Sequence, residues 1–213
     1  MRKPMGVYLV RLVVTCLLLL ISTGTGCSFS LGSTPADEES PDEGFGAGAE
    51  APGVGEDDTG ITGMEIFDGH ELGFRIHYPA DWIYEPGNNL VVFSGREGTD
   101  DYYTTVNLQN LAWGELYHDF QDFYDDYRDQ VTPAGGSLSL LQETSFSQNG
   151  RTFSAIEFNA EYHMEGEKLK QWIMAIDRGD GAFHQFSYTA PEDLFQKNYH
   201  IAEEMLSLLE MTY

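Results

Sequence analysis

Two long alternating segments, residues 151–164 and 167–177, are separated by only two residues, the second of which is Gly166. Glycine readily adopts the positive φ that a two-residue hairpin turn requires. The register that joins apolar side chains across the two segments also brings Glu161 opposite Lys170. The predicted cross-strand partners are Met164–Glu167, Tyr162–Leu169, Glu161–Lys170 and Phe158–Ile173.

Large apolar side chains occur on both faces of this hairpin. Phe158 and Ile173 share one face, whereas Trp172, Met174 and Ile176 lie on the other. Successive side chains of a strand point to opposite faces of the sheet, so both faces need a cover. The hairpin is therefore predicted to belong to an antiparallel sheet that is covered on both sides.

Seven further segments carry the aromatic and β-branched residues that are enriched in strands. Together with the hairpin they alternate with two helical segments along residues 64–213, which are predicted to form one domain. The other predicted strands are residues 64–68, 72–78, 82–85, 89–94, 102–110, 138–147 and 182–189.

Residues 115–131 have the pattern of an amphipathic helix. Pro133 and Gly135 follow it as stop signals. Its apolar side chains lie on one arc of a helical projection, and its acids lie on the opposite arc. The apolar residues are Leu116, Phe120, Phe123, Tyr124, Tyr127 and Val131; the acids are Glu115, Asp119, Asp122, Asp126 and Asp129.

A second helix is predicted from Pro191 to Glu210, because an early proline and acids in the first turn are typical of a helix start. Asn198 interrupts its apolar stripe. Since a buried asparagine requires hydrogen-bond partners, Asn198 is expected to bond a neighbouring loop or strand end, with ligand binding as the alternative. The order of elements predicts an α+β domain with an αβα sandwich architecture.

The stretch from Glu71 to Trp82, ELGFRIHYPADW, resembles the opening motif of the PsbP-like and DcrB-like proteins. The first group contains lumenal subunits of photosystem II and their bacterial relatives, and the second contains bacterial envelope lipoproteins. Phe183 to Tyr188 and the following helix resemble the closing strand and helix of the same family. The resemblance covers residues 64–213 and implies an αβα sandwich with no known catalytic centre.

The chain begins with a targeting segment. Arg2, Lys3 and Arg11 precede an apolar run over residues 12–21, and small residues follow up to Cys27. This order is typical of a secretory signal peptide, and the run is shorter than the roughly 20 residues that span a bilayer. Residues 1–26 are therefore predicted to be removed on export.

Gly24-Thr25-Gly26-Cys27 resembles a bacterial lipobox, in which the cysteine sulfur receives a diacylglycerol. The alternative is ordinary cleavage after Gly26, which would leave a free thiol in an oxidising compartment. We expect lipidation of Cys27, with fatty acids such as palmitate anchoring the protein to a membrane.

Residues 27–63 are rich in glycine, proline, serine and acids and contain no lysine or arginine. Such a segment buries too little apolar surface to offset its ordering entropy, so it is predicted to be a disordered acidic linker. Its glycines dilute its charge, which favours a spacer; an acidic interaction arm is the alternative.

The chain has 213 residues, 35 acids and 11 bases, for a net charge of −24. Because such an acidic surface repels phosphate groups, nucleic acid is not an expected partner. Glycine-rich phosphate loops and a nucleophile elbow are absent from the sequence, and no Ser-His-Asp grouping follows from its spacing. The acidity suits either a saline environment or simple solvation of the surface.

Metal ligands occur only in weak patterns. Glu161 and His163 alternate on one face of a strand and could hold a divalent cation; the alternative is a solvated strand end paired with Lys168 and Lys170. Asp100 and Asp101 lie in a loop and are the best candidates for calcium, with a solvated acidic loop as the alternative. No cofactor is expected.

Three functions agree with these features. The first is a non-catalytic envelope lipoprotein, exported and membrane-anchored, that is an accessory or binding module of a membrane assembly with an envelope protein partner. The second is a periplasmic protein that binds a small ligand or divalent metal in a cleft between sheet and helix. The third is a hydrolase with an unrecognised site. Converging polar groups in a pocket would favour the second.

Overall fold

The computed structural model describes residues 63–114, 117–164 and 166–212. The predicted signal peptide, Cys27 and the predicted linker up to residue 62 lie outside the described residues. The described residues belong to one compact unit.

A seven-stranded antiparallel sheet forms the centre of the domain, with the order β3-β4-β5-β9-β8-β7-β6. Its strands are β3 (Trp82–Pro86), β4 (Leu90–Gly95), β5 (Thr105–Ala112), β6 (Ser137–Gln148), β7 (Arg151–Met164), β8 (Glu167–Asp177) and β9 (Ala182–Pro191).

A smaller sheet of three antiparallel strands has β2 at its centre. It consists of β1 (Met64–Gly69), β2 (Phe74–Pro79) and β10 (Glu210–Met211). The phenyl ring of Phe74 and the side chain of Ile76 are fully buried in the same apolar core as Phe93 and Val106 of the large sheet. This sheet therefore covers part of one face of the large one.

The predicted hairpin is confirmed in its register. β7 and β8 pair Met164 with Glu167, and all four predicted partner pairs occur. Gly166 has a φ of +90°, as its position in the turn requires.

Two helices are described, α1 (Phe120–Val131) and α2 (Glu192–Ser207). The prediction that the first helix begins at residue 115 is wrong. The side chain of Asp119 accepts a hydrogen bond from the backbone N–H of Asp122 at 2.9 Å, and this N-cap marks the true start of α1. Upstream, Trp113 and Tyr117 form an isolated β-bridge, which is incompatible with helix there.

The prediction that the second helix continues to residue 210 is also wrong. α2 ends at Ser207, and Glu210 and Met211 pair with β2 instead. The strand starts shift too: β2 begins at Phe74, after a 3-10 turn, and β5 begins at Thr105 rather than at 102.

The two helices cover opposite faces of the large sheet. On one face Phe123 of α1 packs edge-on against Phe158 and Phe183. On the other, Tyr199 of α2 packs against Trp172 of β8. The predicted antiparallel αβα arrangement holds, with one correction: the small sheet shares a face with α2, so helices are not the only cover.

Candidate ligand-binding site

Six polar side chains form three cross-strand pairs on β5 and β9, two strands that lie next to each other in the large sheet. The pairs are Thr105–Thr189, Asn107–Ser187 and Gln109–Gln185. Every second residue of a strand points to the same face, so all six side chains share one face. We call these six residues the polar band.

The polar band is buried. Asn107, Gln109, Gln185, Ser187 and Thr189 are each at most 3% exposed, and Thr105 is half-buried. This burial is unusual because asparagine and glutamine are mostly found at protein surfaces.

The hydrogen-bonding atoms of the polar band have no partners. Nine side-chain atoms of these described residues lack one: both amide atoms of Asn107, Gln109 and Gln185, and the hydroxyls of Thr105, Ser187 and Thr189. Most buried polar groups in folded proteins are bonded, because a buried group without a partner is destabilising. The described residues therefore leave a set of adjacent donors and acceptors without partners.

The polar band lies between two apolar strips on the same face. On β4, Leu90 is the cross-strand partner of Gln109, and Val92 is that of Asn107. On β8, Ala175 and Ile173 are the partners of Gln185 and Ser187. A molecule on the polar band would therefore meet hydrogen-bonding groups along its middle and hydrocarbon at its sides.

The site carries no formal charge. The flanking residues of the third row, Ser94 on β4 and Gln171 on β8, are also neutral. Gln171 differs from the polar band in one respect, since its amide oxygen accepts a hydrogen bond from the buried hydroxyl of Tyr127 on α1. Tyr127 of α1 thus supplies Gln171 with the hydrogen-bond partner that the residues of the polar band lack.

The loop aspartates proposed as calcium ligands have partners within the chain. The Oδ2 atom of Asp100 lies 3.1 Å from Nζ of Lys197. The Oδ1 atom of Asp101 accepts a hydrogen bond of 3.0 Å from the side-chain amide of Asn198. Both carboxylates therefore tie their loop to α2.

Asn198 bonds a neighbouring loop, as the sequence led us to expect. Its Nδ2 atom donates to Asp101 and, at 2.8 Å, to Oγ1 of the fully buried Thr104. These bonds join α2 to the segment that leads into β5. Asn198 thus has a structural explanation, and it is not part of the polar band.

The second metal candidate lies in an ion-pair network. The carboxylate of Glu161 is 3.0 Å from Nζ of Lys168 and 3.4 Å from Nζ of Lys170, and Glu192 binds the same two lysines. The hydrogen bond from Lys168 is the main reason that the pKa of Glu161 is lowered. His163 is exposed and opposite Lys168. Among the described residues, no three His, Cys, Asp or Glu side chains come together as metal ligands.

His184 is a fully buried group that the sequence did not single out. It lies on β9, on the face opposite the polar band, and its Nε2 atom is 3.2 Å from the backbone oxygen of Gly73. Burial, reinforced by the nearby positive charge of Arg178, lowers the pKa of His184 to about 4. A neutral imidazole therefore donates to Gly73 at pH 7 and joins the two sheets.

The comparisons with known proteins support the fold. No family model matches the chain, and no curated protein matches it either. Among solved structures, cyanobacterial PsbP (CyanoP) from Synechocystis sp. PCC 6803 has a TM-score of 0.51 at 14% identity, over 75% of this chain and 98% of that one. The domain has the PsbP-like fold. The prediction made from residues 71–82 is thereby confirmed at the level of fold.

Two other solved structures show weaker likeness. The Ran-binding protein Mog1p of Saccharomyces cerevisiae has a TM-score of 0.49 at 12% identity, over 70% of this chain and 95% of its own. LpqN of Mycobacterium tuberculosis, involved in cell envelope biogenesis, has a TM-score of 0.42 at 15% identity, over 66% and 83%. Neither helix described in the PsbP-like domain is long and apolar enough to cross a membrane.

Proposed function

We propose that the chain is an exported, lipid-anchored binding protein whose PsbP-like domain holds a small polar molecule on the polar band. One observation carries the proposal: nine adjacent side-chain atoms in the sheet have unmet hydrogen bonds. A bound molecule that supplies their partners removes the cost of burying them.

The chemistry of the polar band favours binding over catalysis. Amides and aliphatic hydroxyls neither gain nor lose a proton near pH 7, so they do not act as general acids or bases without a titratable neighbour. Asn107, Gln109 and Gln185 instead present fixed donors and acceptors. Such groups orient a ligand and select for its shape.

The proposed location follows from the sequence. Removal of residues 1–26 and acylation of Cys27 would attach the mature chain to a membrane, and residues 28–63 would serve as a spacer that separates the domain from the lipid. The binding domain would then face the periplasm or the cell exterior.

A second candidate function is docking to an envelope protein, and the outer strand β6 favours it. β6 lies at the end of the large sheet, and its pairing with β7 shifts between Ser139 and Gln142. The two residues between them, Leu140 and Leu141, are 51% and 44% exposed, and Leu140 has a φ of +56°. Exposed leucines at an irregular sheet edge are typical of a contact surface.

The lipid anchor is tested by fractionation and mass spectrometry of the intact protein. The wild type is expected in the membrane fraction with the added mass of acyl chains on Cys27, and Cys27→Ser is expected in the soluble fraction. A wild-type protein of unmodified mass would refute the anchor while leaving the binding site untouched.

The binding site is tested by mass spectrometry of small molecules released on denaturing protein purified from its native membrane. The wild type is expected to release a compound that Gln109→Leu/Gln185→Leu does not carry. The exposed Gln196→Leu on α2 serves as the control and is expected to behave as the wild type. Equal release from all three proteins would refute the site.

The docking surface is tested separately by crosslinking in the native membrane. Leu140→Ser/Leu141→Ser is expected to lose a crosslinked envelope protein that the wild type and Gln109→Leu/Gln185→Leu retain. An unchanged crosslinking pattern in the leucine variant would refute docking at β6.

A further inference from the structure

We propose that the ligand of the polar band is an uncharged saccharide, bound through its hydroxyl groups. This inference rests on the proposed function and adds the chemical class of the ligand. Four properties of the polar band support it: neutrality, mixed donors and acceptors, spacing, and apolar flanks.

Because its side chains are uncharged, the polar band fits an uncharged ligand better than an ionic one. None of the side chains in the three rows from β4 to β8 is ionisable, including the flanking Ser94 and Gln171. Carboxylates and phosphates are bound most strongly by arginine, lysine or a helix N-terminus. An anion on the polar band would meet no such group and would be repelled by the net negative charge of the domain.

The polar band offers both donors and acceptors. Each of the three amides has two N–H donors and one oxygen acceptor, and each of the three hydroxyls can act in both ways. A ligand that carries only acceptors would leave the three amide oxygens unsatisfied, and one that carries only donors would leave the three amide nitrogens unsatisfied. Hydroxyl groups both donate and accept, so a molecule rich in hydroxyls can satisfy the whole set.

The spacing demands a dense array of ligand groups. Residues two apart on a strand are about 6.8 Å apart, and the two members of a cross-strand pair are about 5 Å apart. The three pairs therefore cover a patch of roughly 14 by 5 Å. A sugar ring carries hydroxyls on adjacent carbons and reaches this density, whereas a peptide backbone has fewer polar groups over the same length.

The apolar strips match the remaining surface of a sugar. Leu90 and Val92 lie on one side of the polar band, and Ile173 and Ala175 lie on the other. Saccharide rings present C–H groups on their faces and hydroxyls around their edge. The C–H groups would contact these four side chains while the hydroxyls bond the amides between them, as in other ligand sites that combine both kinds of surface.

The test uses the mature protein in a detergent without a sugar headgroup, since a maltoside would itself act as a probe. Glucose, galactose, N-acetylglucosamine and maltose are titrated separately. At least one is expected to shift the side-chain amide NMR signals of Asn107, Gln109 and Gln185. At ten times its Kd it is expected to raise the Tm by about 3–5 °C.

Two comparisons make the test specific. Gln109→Leu/Gln185→Leu is expected to weaken binding of the active sugar at least about 100-fold, because two or more hydrogen bonds are lost, while Gln196→Leu binds as the wild type. The matched charged probe, the phosphate ester of the active sugar, is expected to bind at least about 10-fold more weakly than the sugar.

The outcomes separate the ligand class from the proposed function. Binding of a neutral sugar that depends on Gln109 and Gln185 supports both. If no sugar shifts the amide signals but the native protein releases another compound, for example a peptide, the saccharide assignment is overturned and the proposed function stands. If no sugar binds and nothing is released, both are overturned.

Discussion

The two faces of the seven-stranded sheet differ although both are buried. On β9, Phe186 and Tyr188 point toward α2 and the small sheet and lie in a closely packed aromatic and aliphatic core. Their chain neighbours Gln185 and Ser187 point the other way and have unmet hydrogen bonds. One face thus supplies stability, whereas the other carries buried polar atoms without partners among the described residues.

The largest effect is expected on the core face. Phe186→Ala should lower the free energy of unfolding by about 3–5 kcal/mol, because a fully buried ring is lost and a cavity remains. Urea denaturation measures the change, and Tyr103→Ala, at a position that is 49% exposed, should cost less than about 0.5 kcal/mol. Similar losses for both variants would contradict the assignment of the core.

The second effect is a loss of folding stability at low pH, and it also arises on the core face. The folded pKa of His184 is about 4, below its ordinary value of 6.5. The unfolded chain therefore takes up a proton between pH 6.5 and 4 that the folded chain does not. The stability contributed by neutral His184 is complete above pH 6.5 and is lost as the pH falls, by about 3 kcal/mol at pH 4.

Urea denaturation at pH 7 and pH 4 measures this dependence. His184→Gln retains a donor for Gly73 but does not titrate, so its stability should fall less than that of the wild type over the same range. If both proteins lose the same stability, the acid sensitivity belongs to the carboxylates and not to His184.

A smaller effect is expected where α1 meets the polar face. Tyr127→Phe should lower the free energy of unfolding by about 1–3 kcal/mol, because the buried amide oxygen of Gln171 loses its donor. Tyr103→Phe, at the exposed position, is the control and should be neutral. A neutral Tyr127→Phe would show that Gln171 behaves like the polar band.

The smallest effect is expected within the polar band. Gln109→Leu/Gln185→Leu should cause no loss of stability in the ligand-free protein, because the replaced amides make no hydrogen bonds. Urea denaturation after removal of ligand measures the change. A loss above about 1 kcal/mol would mean that these amides do stabilise the fold. It would contradict the conclusion that the two faces of the sheet differ in their contribution to stability.

Much of this fold could be predicted locally. The β7–β8 hairpin followed from a glycine turn and matched apolar pairs, and the bounds of its strands were predicted correctly. Helix ends were predicted less well. Asp119 was counted among the outward acids of the first helix, although it is the N-cap, because periodicity cannot distinguish a cap from an exposed helical acid.

The polar band was missed although its pattern is visible. Thr105, Asn107 and Gln109 alternate with Val106 and Leu108, an alternation that usually indicates a strand with one face in water. If both faces of the sheet are covered, as predicted, the polar residues of this strand must be buried. The polar band could have been predicted by combining that expectation with the alternation in residues 105–109. Their unmet hydrogen bonds are a property of the folded chain alone.

The amino-acid pattern was sufficient for the antiparallel α+β class and for the hairpin, since both depend on side chains close together in the chain. The neighbouring positions of β5 and β9 come from the folded structure, as does the pairing of Met211 with Phe74. Such long-range pairings result from competition among many possible partners for the same strand edge, and local periodicity carries no information about which one wins.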